Sequence, residues 1–227
     1  SAISVACSPN SNIRTAVAAW LSDATAAEAT HGHISGWNTS QITDMSYLFC
    51  ADTASSSGLC HAAAASFNED ISEWDTSQVT DMAYMFRQAS SFNQPIGGWV
   101  VDKVEDFSWT FKYASVFNQD LSGWQVDNVN DMGDMFKYAT AFDQNLGWCA
   151  AYGVDLEDAF YDSACEASSC GVLQAESEGG DCLSSAPTVT PAPVWKSTSA
   201  SGALSHSSAM TRPSWLGRAV KNRHRHT

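Results

Sequence analysis

The chain has 227 residues, 44% hydrophobic and 16% charged, which is enough for one large domain or two small ones. Through Asp181 five Lys/Arg stand against 25 Asp/Glu, a balance of −20, whereas from Cys182 onward six Lys/Arg stand against no acid, a balance of +6. So acidic a body repels nucleic acid and anionic lipid surfaces, excluding both as main ligands, and no apolar run approaches the roughly 18 residues of a transmembrane helix.

From the N-terminus, no signal peptide is visible and Ser1 has the character of a mature or trimmed start. Residues 1–36 read as an N-terminal cap, with a helix expected from the apolar spacing of Ile13-Arg14-Thr15-Ala16-Val17-Ala18-Ala19-Trp20-Leu21. Then a tryptophan restarts the chain again and again. Trp37, Trp74, Trp99, Trp124 and Trp148 open successive units, and self-similarity at such a period marks a repeat architecture. Residues 37–147 hold four repeats. The first is lengthened by an insertion at about 50–62 and rejoins the pattern at Ala65-Ser66-Phe67-Asn68. Residues 148–182 read as a C-terminal capping repeat, because Asp155, Leu156 and Phe160 keep their places among smaller neighbours.

Within a unit, Val79, Met82, Met85, Phe86, Ala89, Phe92 and Ile96 repeat as Val104, Phe107, Phe111, Ala114, Phe117 and Leu121 in the next. The spacing of Met82, Met85 and Phe86 predicts a short helix over 81–86, with Thr80 as N-cap and Asp81 complementing the helix dipole. A turn at Phe92-Asn93-Gln94 and a short strand from Ile96 to Trp99 complete the unit. The expected fold class is α/β: a leucine-rich-repeat-like solenoid with one short strand and one short helix per 25-residue coil, a helical N-cap and a disulfide-linked C-cap. Such folds display an extended surface rather than house a core pocket.

Residues 183–227 differ in texture. Ser184 to Pro193 is a Ser/Thr/Pro linker of extended, O-glycosylatable type, and a basic tail follows, with Arg212, Arg218, Lys221, Arg223 and Arg225 and the isolated Trp195 and Trp215. Its charge suits docking on an acidic body.

Seven cysteines, Cys7, Cys50, Cys60, Cys149, Cys165, Cys170 and Cys182, avoid the regular repeats and lack metal-site spacing. Disulfides of a secreted protein are the better reading, with Cys50–Cys60 the preferred first pair because they bracket the inserted loop. The remaining pairing stays open, and an odd count leaves one thiol free or joined to another chain.

The motif W-D-T-S-x-V-T-D-M-x-x-M-F-x-x-A-x-x-F-N-Q-x-I, read from Trp74, resembles the repeat of the BspA-like leucine-rich-repeat surface proteins, over about residues 13–165. The stretches I-R-T-A-V-A-A-W and G-H-I-S-G-W-N-T-S are also similar to the lead-in of that family. The resemblance implies an extracellular or cell-surface solenoid that serves adhesion or interaction, and it carries over no enzymatic residue. The units from Trp99 and Trp124 depart from it, with Val101-Asp102 and Val126-Asp127 in place of Thr-Ser, which interrupts any ligand face built on that pair.

Candidate sites fall on the ladders. Asp44, Asp81, Asp106, Asp131 and Asp155 occupy one offset, which suits calcium chemically but is better explained if each opens its own helix. Asn68, Asn93 and Asn118, followed by Asp143, are expected to hydrogen-bond the turns of neighbouring coils. The tryptophan column is expected to pack, with sugar stacking as the minority reading. His31 and His33 read as a polar turn rather than a metal site. Asn38-Thr39-Ser40 is a glycosylation sequon. Thr39 and Thr76 alone are too short a row for ice binding. No G-x-S-x-G, phosphate loop or H-E-x-x-H occurs, so neither catalysis nor a cofactor is expected. The leading expectation is a non-catalytic module binding a protein or glycan; the alternative is a subunit of an extracellular filament or assembly, docked through the basic tail.

Overall fold

The structure is a computed structural model, and it describes residues 11–182. Cys7 and residues 183–227, with the basic tail and its two tryptophans, lie outside the described residues.

Helix α1 spans Ser11–Ser22 and α2 spans Ala24–His31. Asp23 separates them: its carboxylate accepts the Ala26 N–H at 3.0 Å, the bond expected of an N-cap. The apolar stripe of α1, Ile13, Ala16, Val17 and Trp20, is buried against the first coil, and Trp20 meets Trp37 edge-on at 6.0 Å. On the same helix Arg14 pairs with Asp44 at 2.6 Å and donates to the Ser46 Oγ at 3.0 Å.

From Trp37 the units lie one upon the next. The parallel ladder joining them runs through the segment after each ladder aspartate. Met82, Tyr84, Phe86 and Gln88 donate their backbone N–H groups to Asp106, Ser108, Thr110 and Lys112 of the following unit at 2.8–3.0 Å. Met45, Tyr47, Phe49 and Ala51 do the same one unit earlier, and Phe107, Trp109, Phe111 and Tyr113 one unit later. Single parallel bridges join the ladder aspartates from Asp44 through to Asp155.

This arrangement differs from the helix expected over 81–86. There the intervening amides close tight turns, Met85 to Met82, Arg87 to Tyr84 and Ala89 to Phe86. Tyr84 and Gln88 take left-handed conformations, φ 61° and 60°, as do Trp109 and Tyr113 in the next unit. A helix would spend each N–H four residues back in its own chain. Here alternate N–H groups face the neighbouring unit instead, at the cost of one left-handed residue in the first turn ribbon and two in each later one, about 1 kcal/mol or more each for a non-glycine residue. A Met-x-x-Met-Phe spacing buries the same side chains either way, which is why periodicity alone pointed to a helix. The strand expected from Ile96 to Trp99 is a turn closed by Trp99 N–H to the Ile96 carbonyl. Among the described residues the one regular strand pair is β1 (Cys149–Ala150) with β2 (Leu173–Gln174), parallel.

Because each unit repeats its apolar offsets, identical rings stack. Phe49, Phe86, Phe111, Phe136 and Phe160 form one column at 5.3–5.5 Å between ring centres. Phe67, Phe92, Phe117 and Phe142 form a second at 6.0–6.1 Å. These phenylalanines are fully or nearly fully buried, each removing apolar surface worth about 2 kcal/mol from water.

Both irregular regions are stapled. Cys50–Cys60 closes the insertion, and Asp52 within it pairs with Arg87 of the next unit at 2.6 Å. Cys165–Cys170 and Cys149–Cys182 tie down the last unit. Gly171, with φ 71°, lies so close to Asn145 that an added Cβ would sit 2.1 Å from its Oδ1.

Candidate functional site in the outward-facing columns

The regular ladders are consumed by the fold. All five ladder tryptophans are buried. Their indole N–H groups reach carbonyls of neighbouring segments: Trp37 to Gly32, Trp74 to Ile34, Trp99 to Ile71, Trp124 to Ile96 and Trp148 to Leu121, at 2.9–3.2 Å. With ring faces packed and donors satisfied, this column offers nothing to a sugar. Thr39 and Thr76 are buried too, donating to the Asp75 and Val100 carbonyls at 2.9 and 2.8 Å. Val101 and Val126 fill the equivalent buried positions. The first position of the Thr-Ser pair is therefore interior in all four units, whereas the second, Ser40, Ser77, Asp102 and Asp127, is half-buried or exposed. Asn38 is exposed, and its Oδ1 accepts from the Ser40 N–H and Oγ at 3.1 and 2.8 Å.

Each ladder aspartate caps a turn, not a helix. Asp44, Asp81, Asp106, Asp131 and Asp155 accept through Oδ1 the N–H two residues on, at 2.7–2.9 Å. Burial pushes the Asp81 carboxyl up, opposed by the Ala83 N–H and helped by the Asp106 and Asp44 charges. Asp131 is raised in the same way, by burial and then by Asp106 and Asp155. At Asp44 burial is outweighed by hydrogen bonds from Ser46 and Arg14, and the carboxyl is held low. Arg14 thus neutralises the first member of a like-charged column. Among the described residues no group of three or more His, Cys, Asp or Glu is placed to hold a metal ion.

The asparagines form a second ladder, one hydrogen bond per unit. Asn68 Oδ1 accepts the Asn93 N–H, Asn93 Oδ1 that of Asn118, and Asn118 Oδ1 that of Asp143, at 2.9–3.0 Å. Gln94, Gln119 and Gln144 add amide bonds to the same asparagines. At the N-terminal end His33 bonds Ser35 at 2.8 Å and His31 packs edge-on to Trp37, a polar turn beside the cap.

Two outward features bear on function. The first is a ribbon of rings and charges. Tyr47 stacks on Tyr84 at 4.5 Å and Tyr84 on Trp109 at 5.3 Å. The next unit has Asp134 at that offset, and the row ends there. The Lys112 ammonium lies 3.5 Å from the Trp109 ring centre and 2.8 Å from Asp134. Lys137 joins Asp134 to Asp158 at 2.9 and 2.6 Å. Burial works against the Asp134 charge, but the two lysines prevail and hold its carboxyl low. The ribbon spends its faces and charges on itself.

The second feature is a polar groove of about 640 Å³, lined among others by Thr80, Lys103, Glu105, Asp127, Asn128 and Tyr152. Its floor is a backbone ladder: Glu105 N–H to Thr80 O, Asn130 N–H to Glu105 O and Asp155 N–H to Asn130 O, at 2.8–3.0 Å. Tyr152 lines the groove as well, 61% exposed. Gly153, with φ 86°, turns the chain just after it, a conformation that suits glycine. Sequence reasoning passed over both features. The ribbon had a visible signal, an aromatic at the same offset in three units. The groove had none, since its floor depends on how the units register.

No curated protein and no solved structure matches the chain. A family model described as "Mycoplasma protein of unknown function, DUF285" matches residues 19–149, from α1 through the fourth unit and more than half of the chain. The chain belongs to that family.

Proposed function

We propose that this protein is an extracellular, non-catalytic interaction module, built as a leucine-rich-repeat-like solenoid of the BspA-like kind. One observation carries the reading. Positions that recur from unit to unit are spent on packing and on bonds between units, whereas the outward side chains around the groove change from Gln and Thr to Lys and Glu to Asn. A surface that varies on a scaffold that does not is what recognition needs and what a structural spacer has no use for. Three disulfides support an oxidising compartment, and the acidic surface keeps such a module off nucleic acid and anionic lipid. The assembly-subunit alternative rests on the charge contrast between −20 and +6 alone, and its residues lie outside those described.

The test is capture by an array printed with neutral glycans, acidic glycans and purified extracellular-matrix proteins, probed with the labelled full chain. Saturable binding to at least one class, lost after reduction of the disulfides and unfolding, is expected. A folded chain that binds nothing saturably on such an array overturns the reading.

A further inference from the structure

We propose that the groove between Thr80 and Tyr152 is a binding site for a neutral oligosaccharide. The inference rests on the interaction-module reading and names the ligand class for it.

Four observations converge. First, the groove's volume, about 640 Å³, lies within the range of ligand sites and exceeds what one small solute fills. Second, its lining mixes donors with acceptors: an ammonium at Lys103, an amide at Asn128, a hydroxyl at Thr80, and carboxylates at Glu105 and Asp127. Sugar hydroxyls both donate and accept, so a polyol can satisfy such a wall where an acceptor-only anion or a donor-only cation cannot. Several of these groups are already held in place, Lys103 Nζ on Gln78 Oε1 at 2.9 Å and Asn128 Nδ2 on the Asp102 carbonyl at 2.6 Å.

Third, the charge is close to neutral but on the acidic side, one lysine against two carboxylates. On a body with 20 more acids than bases, phosphate, sulfate and uronate groups are repelled rather than drawn in. Fourth, the one large apolar surface is a single open ring. Tyr152 makes no ring, cation or hydrogen-bond contact with another described residue, unlike Tyr113, which is stacked on Tyr138 at 4.7 Å. Tyr161 lies edge-on to Tyr138 at 5.6 Å. An exposed phenol with an unused face beside a polar wall suits the C–H face of a pyranose. An apolar peptide would need a side-chain pocket, and the valines beneath the groove, Val129 and Val154, are already buried.

Tyr152 stands four residues after the tryptophan of its unit and three before the ladder aspartate, the offset that Gln78, Lys103 and Asn128 hold in the earlier units. The polar edge formed by that offset therefore ends in an aromatic ring, with Gly153 in a left-handed turn just after it.

The experiment is affinity electrophoresis of the full chain through gels containing neutral polysaccharides (a β-glucan, a mannan, a galactomannan and a glycol-substituted chitin), together with the printed array. Wild type should be retarded by at least one of them. Tyr152→Ala should weaken that retardation at least about tenfold, the loss of roughly 1.4 kcal/mol, and Tyr152→Phe should preserve it. Asn128→Ala should also weaken it, and Tyr161→Ala should leave it unchanged. Far-UV circular dichroism and intact disulfides verify folding, which the exposed Tyr152 does not govern. The proposal is overturned by retardation that Tyr152→Ala leaves intact, or by no retardation on any gel. Capture of only acidic glycans or matrix proteins on the array also refutes it, and in that case the interaction-module reading survives. An array with no capture at all removes both.

Discussion

The carbonyl of Ile71 accepts the indole N–H of Trp99 at 3.2 Å, so the tryptophan that opens the third unit is bonded to the end of the first, across the whole of the second. Both residues are buried. The same carbonyl also accepts the Trp74 N–H at 3.1 Å, so removing the indole donor loses one net hydrogen bond, about 0.5–1.5 kcal/mol. Trp99→Phe should therefore lower Tm by roughly 1–6 °C in a chain of this size. Val100→Ser, one residue on and half-exposed, should move it little. Differential scanning calorimetry compares the two, and equal shifts would show that the tryptophan bond contributes nothing.

The asparagine ladder depends on an acceptor oxygen rather than on an amide. Asn93 Oδ1 takes both the Asn118 N–H and the Gln119 side chain at 2.9 Å. Asn93→Asp keeps that oxygen and should be within about 0.5 kcal/mol of wild type, whereas Asn93→Ala should cost about 1 kcal/mol. Urea unfolding of the two variants measures the difference.

The aspartate column makes stability depend on pH in two opposing ways. Asp81 is raised by burial and by its neighbours' charges, so its ionised form is disfavoured by folding at neutral pH. Stability is regained as pH falls through the raised value. Asp81→Asn, which keeps the acceptor for Ala83, should raise Tm at pH 7 by roughly 1–3 °C, and the gain should vanish at pH 3. Asp44 is held low by Ser46 and Arg14, so its contribution is present above the ordinary carboxylate range and lost as pH falls through the depressed value. Asp44→Asn should be destabilising at pH 7 and closer to neutral in acid. The same sign of effect for both variants at pH 7 would contradict this assignment.

Cys149–Cys182 spans 33 residues and lies beside the β1–β2 pair. A cross-link of that length is worth about 2–4 kcal/mol. In Cys149→Ser/Cys182→Ser the loss should be local, because each unit contacts chiefly its neighbours. The amides of Leu173 and Ala175, which bond Trp148 and Ala150, should exchange faster with deuterium while that of Phe111 is unchanged. Uniform loss of protection across the chain would show instead that the last unit governs the whole.

Much of this was legible from the residues. The helix before Trp37, the buried apolar offsets and the loop bracketed by Cys50 and Cys60 follow from spacing and composition. The local conformation of Asp81 to Gln88 did not. Helix and turn ribbon bury Met82, Met85 and Phe86 alike, and the choice is made by hydrogen bonds to a unit 24 residues away, which no local pattern reports. The groove was hidden for the same reason. Thr80, Glu105 and Asn130 become neighbours only through the register of the stack, and the same register brings Tyr152 to their groove at the offset of Lys103 and Asn128.

Everything proposed for the groove and for the ladders depends on that register, so its direct measurement is the decisive one. Scalar couplings across hydrogen bonds, read by NMR on the deuterated full chain, identify each donor's acceptor. The account predicts couplings from the amide nitrogens of Met82, Tyr84 and Phe86 to the carbonyl carbons of Asp106, Ser108 and Thr110, and from Phe111 to Met135. Couplings from Met85, Phe86 and Arg87 to carbonyls four residues earlier in their own unit would mean a helix in place of the ladder, and would contradict it.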